Sequence, residues 1–144
     1  MKKDLHEIPL RRKLGIRMVE TYNSVYEQSQ EFFSGYGLTS QQYNVLSVLS
    51  DAGTPLSTSD ILKKMLEKNA GVSRLVDRLI VKDLVEKRVN PDDKRLIDVT
   101  LTHKGEELYK EVSDALPGVD AVYRNLTDEE TEMLIRLLDK IRKT

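Results

Sequence analysis

Arginines at two places in the middle of the chain have side chains that can bind an anionic partner. Arg74 and Arg78 lie four residues apart, on one face of a helix if the segment is helical. Arg95 lies in the turn-rich segment 90–95. Guanidinium groups bind phosphate and base edges through paired hydrogen bonds. We interpret both groups as candidate nucleic-acid contacts. The alternatives are a solvated helix surface and a surface ion pair of Arg95 with Asp93.

The composition excludes several classes of chemistry. The 144-residue chain has no Cys, which removes disulfides, cysteine-ligated zinc and thiol-based catalysis or redox sensing. A Gly-rich phosphate loop, a nucleophile–base spacing and a metal-ligand cluster are also missing, so an enzyme is poorly supported and we expect no cofactor or metal. The sequence has no apolar run of membrane-spanning length and no signal peptide, and we expect a cytoplasmic protein without a membrane partner.

Charge is unevenly distributed, although the formal net charge is only -1. Residues 60–105 contain 11 Lys and Arg against 8 Asp and Glu, a net of +3, whereas residues 106–144 contain 6 against 10, a net of -4. The first 59 residues balance at 6 and 6. Because the phosphate backbone rewards clustered cations, the middle third is the part that favours a nucleic-acid partner.

The helices that precede the arginines can be predicted from apolar periodicity and capping residues. Apolar residues at three- and four-residue spacing predict a long helix from Leu10 to Phe33. Thr39 begins a second helix with a capping box, and Ser57 caps a short third helix. Asn69 is the predicted cap of a fourth helix, which carries Arg74 and Arg78.

A β-hairpin and two further helices are predicted after the fourth helix. Residues 84–89 and 96–101 have the composition of short strands, and the charged segment between them forms the tip of a hairpin. Thr102 and Thr127 are the predicted caps of the last two helices. Pro117 is expected to kink or break the first of these.

The fourth helix has the pattern of a helix that reads DNA. Its apolar face consists of Val72, Leu75, Val76, Leu79 and Ile80. Its outward face consists of Ala70, Arg74, Asp77, Arg78 and Val81, with Ser73 at the edge. The order of three helices and a hairpin over residues 39–101 is that of a winged helix-turn-helix, whose third helix enters the major groove of DNA. A cationic hairpin tip is then suited to the minor groove.

The motifs of this region resemble those of the MarR family of transcription regulators. They are Ser-Arg-Leu-Val-Asp-Arg-Leu at 73–79, Leu-Val-Glu-Lys at 84–87, Asp-Lys-Arg at 93–95 and Leu-Thr-His-Lys-Gly at 101–105. The resemblance covers nearly the whole chain, and the wing motif directly after the reading-helix pattern is specific. It implies that Arg95 enters the minor groove, oriented by the Asp93 carboxylate.

The resemblance also implies the architecture. The expected fold is mainly α with a small β-hairpin wing, in a single domain 1–144 with a winged-helix core over 37–102 and dimerisation helices over 1–36 and 103–144. The amphipathic stripes at both ends of the chain offer more apolar surface than such a core can bury, which independently favours a homodimer. A two-fold dimer predicts a near-palindromic operator in double-stranded DNA. The resemblance implies repression as the usual role, with activation as an alternative. A winged helix that binds only proteins is the alternative to DNA binding.

The predicted DNA-binding residues are Ser57, Thr58, Asn69, Ala70, Ser73, Arg74, Asp77, Arg78, Lys87, Arg88, Asp93, Lys94 and Arg95. Lys87 stands where many members of the family have arginine, which keeps a phosphate-binding charge but loses bidentate geometry. Asp77 would repel phosphate unless it were paired, and Arg74 or Arg78 is its expected partner.

Three tyrosines define a further hypothesis. Tyr22, Tyr26 and Tyr43 are expected to pack in the core or the dimer interface. The family implies an alternative in which a small aromatic or phenolic effector binds between the dimer arms and the reader. In that case these tyrosines, together with Arg17, line the pocket.

Overall fold

The structure, a computed structural model, describes residues 7–143 and is mainly helical. The helices are α1 (Leu10–Ser34), α2 (Ser40–Ala52), α3 (Thr58–Lys64), α4 (Val72–Val81), α5 (His103–Ala115), α6 (Pro117–Asp120) and α7 (Asp128–Arg142). The strands are β1 (Leu56–Ser57), β2 (Val85–Val89) and β3 (Ile97–Leu101). This arrangement confirms the predicted fold class, a helical chain with a small β wing.

Four of the five predicted helix caps are confirmed. Thr39 and Thr127 both form capping boxes. In each, the threonine hydroxyl accepts a hydrogen bond from the backbone N–H of the third helical residue, and the side chain of that residue accepts one from the threonine N–H. Ser57 and Thr102 accept in the same way from residues three positions on. The prediction for Asn69 is wrong. Helix α4 begins at Val72, and its N-cap position is Gly71, which has no side-chain cap.

The sheet has three strands rather than the predicted two. Its order is β1-β3-β2, with both pairings antiparallel. Leu56 pairs with Val99, so β3 is the central strand and the wing is attached to the segment before α3. A two-residue strand is too short for an alternating pattern, which is why the sequence did not reveal it.

The core lies between α2, α3, α4 and the sheet. Its fully buried side chains are Val45, Leu46, Ile61, Met65, Val76, Leu79, Val85, Val99 and Val112. These residues come from α2, α3, α4, α5, the segment after α3 and the two wing strands. Burial of branched side chains at about 25 cal/mol per Å² of apolar surface supplies most of the stabilisation of this core. The same packing fixes α4 in place through its buried face.

The junction between α4, the wing and α5 is built around Thr102 and Gly105. The Thr102 hydroxyl accepts from the Gly105 N–H at 3.0 Å and donates to the Asp83 carbonyl at 2.7 Å. The Thr102 N–H donates to the Leu84 carbonyl at 3.1 Å. A Cβ on residue 105 would lie 2.0 Å from that same carbonyl oxygen, a separation that no side chain tolerates. This close approach explains the Leu-Thr-x-x-Gly motif.

Lys82 connects the end of α4 to the end of α1. Its ammonium donates to the Gly37 carbonyl and to Gln42 Oε1, the latter at 2.9 Å. Its own carbonyl accepts from the Lys104 ammonium at 3.1 Å. Gln42 is buried and also completes the α2 capping box. The orientation of α4 is therefore tied to α1, α2 and α5 together.

The last part of the chain is interrupted as predicted at Pro117. Helix α5 ends at Ala115, Pro117 is the first residue of the short α6, and a 3₁₀ turn over Ala121–Tyr123 leads towards α7. Helix α7 has no buried residue in the single chain. None of the helices within residues 7–143 combines the length and apolar character needed to cross a bilayer.

We predict that Gly105→Ala lowers the free energy of unfolding by about 3 kcal/mol, because the new methyl group forces α5 away from the Leu84 backbone. Gly118→Ala is the matched control, because a Cβ there makes only an ordinary contact, 3.8 Å from a Phe32 ring carbon, on the exposed short helix α6. The control variant should be unchanged or stabilised by up to about 1 kcal/mol. Urea unfolding at one protein concentration measures both. Equal stabilities for the two variants would contradict the close contact.

Candidate nucleic-acid interface

Helix α4 presents a polar face to solvent while its opposite face enters the core. Val72, Val76 and Leu79 are buried, and Leu75 is half-buried. Ile80, which was predicted to belong to the buried face, is instead 37% exposed. The exposed polar residues are Ser73, Arg74, Asp77 and Arg78. In the part of the chain that the structure describes, neither Arg74 nor Arg78 forms an ion pair, so both guanidinium groups are available to an anion.

Asn69 and Ala70 precede this helix instead of opening it. Asn69 is an exposed turn residue, and Ala70 is half-buried against the core rather than facing outward. The prediction placed both on the helix because Asn69 resembles a cap in type. Glycine at position 71 delays the helix start, since Gly71 adopts a non-helical conformation.

The wing tip holds Arg95 in one defined geometry. Arg95 Nε donates to Asp93 Oδ1 and its terminal nitrogen donates to Asp93 Oδ2, both at 3.0 Å. The Arg95 backbone N–H donates to Asp93 Oδ1 at 3.0 Å as well. The Arg95 side chain, and secondarily its backbone N–H, lower the pKa of the Asp93 carboxyl below its ordinary value of 3.8. The bidentate pair is therefore intact at neutral pH and is lost only as the pH falls through that lowered pKa.

Asn90 organises the turn that carries this pair. Its side-chain oxygen accepts from the N–H groups of Asp92 and Asp93 at 2.8 and 2.9 Å, and its amide nitrogen donates to the Asp98 carboxylate. From the sequence alone, Asn90 is only one residue of the turn-rich segment 90–95. An asparagine followed two and three residues later by acidic turn residues is the signature of an Asx turn. This pattern could have identified the role of Asn90 from the sequence.

Asp77 pairs with Lys87, not with a neighbouring arginine. Lys87 Nζ lies 2.7 Å from Asp77 Oδ1, so the ion pair joins α4 to β2. The expectation that Arg74 or Arg78 would pair with Asp77 is wrong. Lys87 shares a face of β2 with the buried Val85, which directs it towards α4.

The other predicted contacts surround these groups. Arg88 lies on the opposite face of β2 and is 3.4 Å from Glu86, whereas Lys94 is exposed in the wing turn. Ser57 and Thr58 are half-buried at the start of α3, where the Ser57 hydroxyl accepts from the Asp60 N–H at 3.1 Å. Arg88 and Lys94 thus project from the wing, while Ser57 serves first as a helix cap.

The four residues of the predicted effector pocket do not line one cavity. Tyr22 and Tyr26 stack with ring centroids 5.6 Å apart and line a surface cavity of about 590 Å³ with Gln41 and residues 66–69. Tyr43 lies elsewhere, between the rings of Phe33 and Tyr109. Its hydroxyl is 2.8 Å from that of Ser113, and burial raises its pKa above 10.0.

Arg17 does not line the Tyr22–Tyr26 cavity. Its guanidinium group pairs with Glu20 at 2.9 Å on exposed α1 surface. The effector hypothesis in its four-residue form is therefore not supported by the geometry, and only Tyr22 and Tyr26 remain as candidate lining residues.

Comparison with known proteins gives the family. A sequence model described as "MarR family" matches residues 36–96, which include α2, α3, α4 and most of the wing. The multiple antibiotic resistance protein MarR of Salmonella typhimurium is 35% identical over 116 residues, which cover 76% of this chain and 77% of that protein. The chain belongs to the MarR family.

Two further comparisons agree with this assignment. The transcriptional repressor YetL of Bacillus subtilis is 31% identical over 114 residues, covering 76% of this chain and 66% of that protein. A crystal structure of a mutant MarR from E. coli, complexed with operator DNA, matches with a TM-score of 0.79 at 28% identity over 98% of this chain and 100% of that one. The chain is a MarR-family transcription regulator with a winged-helix fold.

Proposed function

We propose that this MarR-family chain binds a near-palindromic operator in double-stranded DNA as a homodimer and represses transcription. The observation that carries the proposal is that Arg74 and Arg78 on α4 have no ion-pair partner within residues 7–143, together with a wing arginine whose side chain Asp93 holds by two hydrogen bonds. Helix α4 enters the major groove in this proposal, and Arg95 enters the adjacent minor groove.

The geometry of α4 supports a reading role. Its buried face anchors it in the core, so its outward side chains are presented by a rigid element rather than by a loop. Ser73 lies in its first turn, where a short side chain lets the backbone approach the base edges. Relatives add support, because YetL is named a repressor and the E. coli MarR mutant was crystallised with operator DNA.

Apolar surface at the two ends of the chain supports the homodimer. The exposed large apolar residues of α1 and α7 are Leu10, Leu14, Met18, Val19, Met133, Leu134, Ile135, Leu137, Leu138 and Ile141. Met18 of α1 lines one cavity of about 360 Å³ with apolar residues of α7, so apolar side chains of the two helices adjoin; the α7 lining is Ile135, Leu138 and Ile141, flanked by Asp139 and Arg142. Exposed apolar surface on this scale favours a second copy of the chain as its cover. In this proposal residues 37–102 are the DNA-binding core, and residues 1–36 and 103–144 are the dimerisation arms.

The Tyr22–Tyr26 cavity supports a narrower form of effector control. Tyr26 accepts hydrogen bonds from Gln30 and Gln41, while the Tyr22 ring is largely exposed. The cavity also contains Asn69, which lies just before α4. A small aromatic or phenolic compound that stacks on Tyr22 would displace this segment, and with it the start of the reading helix. We propose this cavity as the effector site.

We predict that Arg95→Ala weakens binding to an operator selected from a random DNA pool by about 1–3 kcal/mol, because the wing loses its minor-groove contact. Lys110→Ala is the control, since it removes the same charge from exposed α5 surface, where the Lys110 ammonium lies 3.8 Å from Glu106. Fluorescence anisotropy at several salt concentrations measures both. Equal losses in the two variants would contradict a groove contact. If wild-type protein selects no duplex, the winged helix binds proteins instead.

For the dimer, we expect wild-type protein to sediment at twice the 16.5 kDa chain mass and Leu138→Glu to shift it towards the monomer. A carboxylate in an apolar interface is left without hydration or a partner. Val81→Glu is the control, because Val81 is exposed at the end of α4, outside the proposed interface. Circular dichroism checks that both variants fold. A wild-type protein that sediments as a monomer at micromolar concentration would contradict the homodimer.

For the effector, we expect Tyr22→Ala to keep operator affinity but to abolish release of DNA by any phenolic acid that dissociates the wild-type complex. The substitution removes the stacking surface without touching α4 or the wing. Tyr43→Phe is the control, because its hydroxyl lies outside the cavity and release should be unchanged. Titration of a panel of phenolic and aromatic acids into the operator complex gives the readout. Release that is identical in all three proteins would contradict this site.

A further inference from the structure

The reading face of α4 contains one residue whose charge opposes DNA binding. Asp77 is the single acidic residue among the ten of α4, and it lies on the outward face between Arg74 and Arg78. Near phosphate, a carboxylate costs binding free energy unless a cation or a hydrogen-bond donor compensates it. Its one ion-pair partner within residues 7–143 is Lys87, which contacts only Oδ1.

The pair contributes little to the stability of the fold. The side chain of Lys87 is 38% exposed and that of Asp77 is 63% exposed, and exposed pairs of this kind contribute at most about 1 kcal/mol. The connection between α4 and β2 is made instead by the buried Leu84 and Val85 and by the Thr102 junction. Stability alone therefore does not explain why an acidic residue occupies the reading face.

The Asp77–Lys87 pair changes the charge that this surface presents to DNA. While Lys87 is bound to Asp77, its charge is neutralised locally and does not add to the cations offered by Arg74 and Arg78. An ammonium group exchanges partners readily because it is a point charge with three donors, unlike the planar fork of arginine. When Lys87 leaves Asp77 for a phosphate, the carboxylate is left exposed on the reading face and free to accept another donor.

We propose that Asp77 is a specificity-determining residue that lowers affinity for non-specific DNA more than affinity for the operator. On the operator, the Asp77 carboxylate accepts a hydrogen bond from an exocyclic amino group of cytosine or adenine in the major groove, and Lys87 moves to a phosphate. On other sequences, no such donor faces the carboxylate. Lys87 then stays with Asp77, and one phosphate contact is not made. This inference rests on the proposed operator binding.

The test compares two duplexes of equal length, the selected operator and its scrambled sequence, over a range of salt concentrations. Asp77→Asn keeps the shape of the side chain but frees Lys87. We expect it to bind the scrambled duplex about tenfold more tightly and with a salt slope steeper by about 0.9, the value for one additional phosphate contact. Operator affinity should stay unchanged or fall, because Lys87 already contacts a phosphate there, so the ratio of the two affinities decreases at least about tenfold. Asp77→Ser, which also removes the charge, should behave alike on scrambled DNA.

Two further proteins identify the cause. In the double variant Asp77→Asn, Lys87→Gln, the steeper salt slope should disappear, because the freed cation is gone. Glu106→Gln removes a carboxylate from the Glu106–Lys110 pair on α5 and should shift both duplexes equally and slightly. Thermal unfolding confirms that each variant is folded.

Other outcomes would overturn the proposal. If Asp77→Asn behaves like Glu106→Gln, only total charge matters. If it weakens both duplexes by one factor with an unchanged salt slope, Asp77 merely supports α4. Neither of these two results contradicts operator binding. The proposed function itself is overturned if the wild-type protein binds neither duplex.

Discussion

The contact between the α5 backbone at Gly105 and the Leu84 carbonyl determines how the parts of this protein sit together. It allows Thr102 to close hydrogen bonds to Asp83 and Leu84 at the point where α4 ends and β2 begins. The wing, α4 and α5 therefore meet at one rigid junction. A side chain at position 105 would separate them, which is a steric constraint and not a matter of helix propensity.

Placement of charge, rather than net charge, distinguishes the candidate interface. Three kinds of cation occur within it. Arg74 and Arg78 have no ion-pair partner in the described chain, Arg95 is held in a fixed orientation by Asp93, and Lys87 is neutralised by Asp77. Only the first kind adds directly to the attraction of phosphate, while the second contributes geometry. In our proposal, the third makes attraction depend on what the DNA offers to Asp77, so that the same surface binds DNA and still discriminates among sequences.

Side-chain contacts connect α4 and α2 to α1 and α5. Lys82 joins the end of α4 to the carbonyl of Gly37 beyond α1, and Tyr43 stacks between aromatic rings of α1 and α5. The apolar faces of α1 and α7 remain exposed in the single chain, whereas the core beneath α4 is closed. A movement of α1 or α5 would consequently reach α4 through packed elements and not through a flexible linker.

Local patterns in the sequence determined the helices, four of their caps, the outward position of Arg74 and Arg78, and the Asp93–Arg95 motif, because periodicity and capping act within a few residues. Tertiary structure decided the rest. The strand β1 exists only because β3 lies beside it, Asp77 takes Lys87 as its partner because β2 packs against α4, and Tyr43 separates from Tyr22 and Tyr26 because it joins the ring cluster of α1 and α5. Each of these contacts joins residues distant in the chain, and their geometry depends on how whole elements pack, which no local pattern encodes.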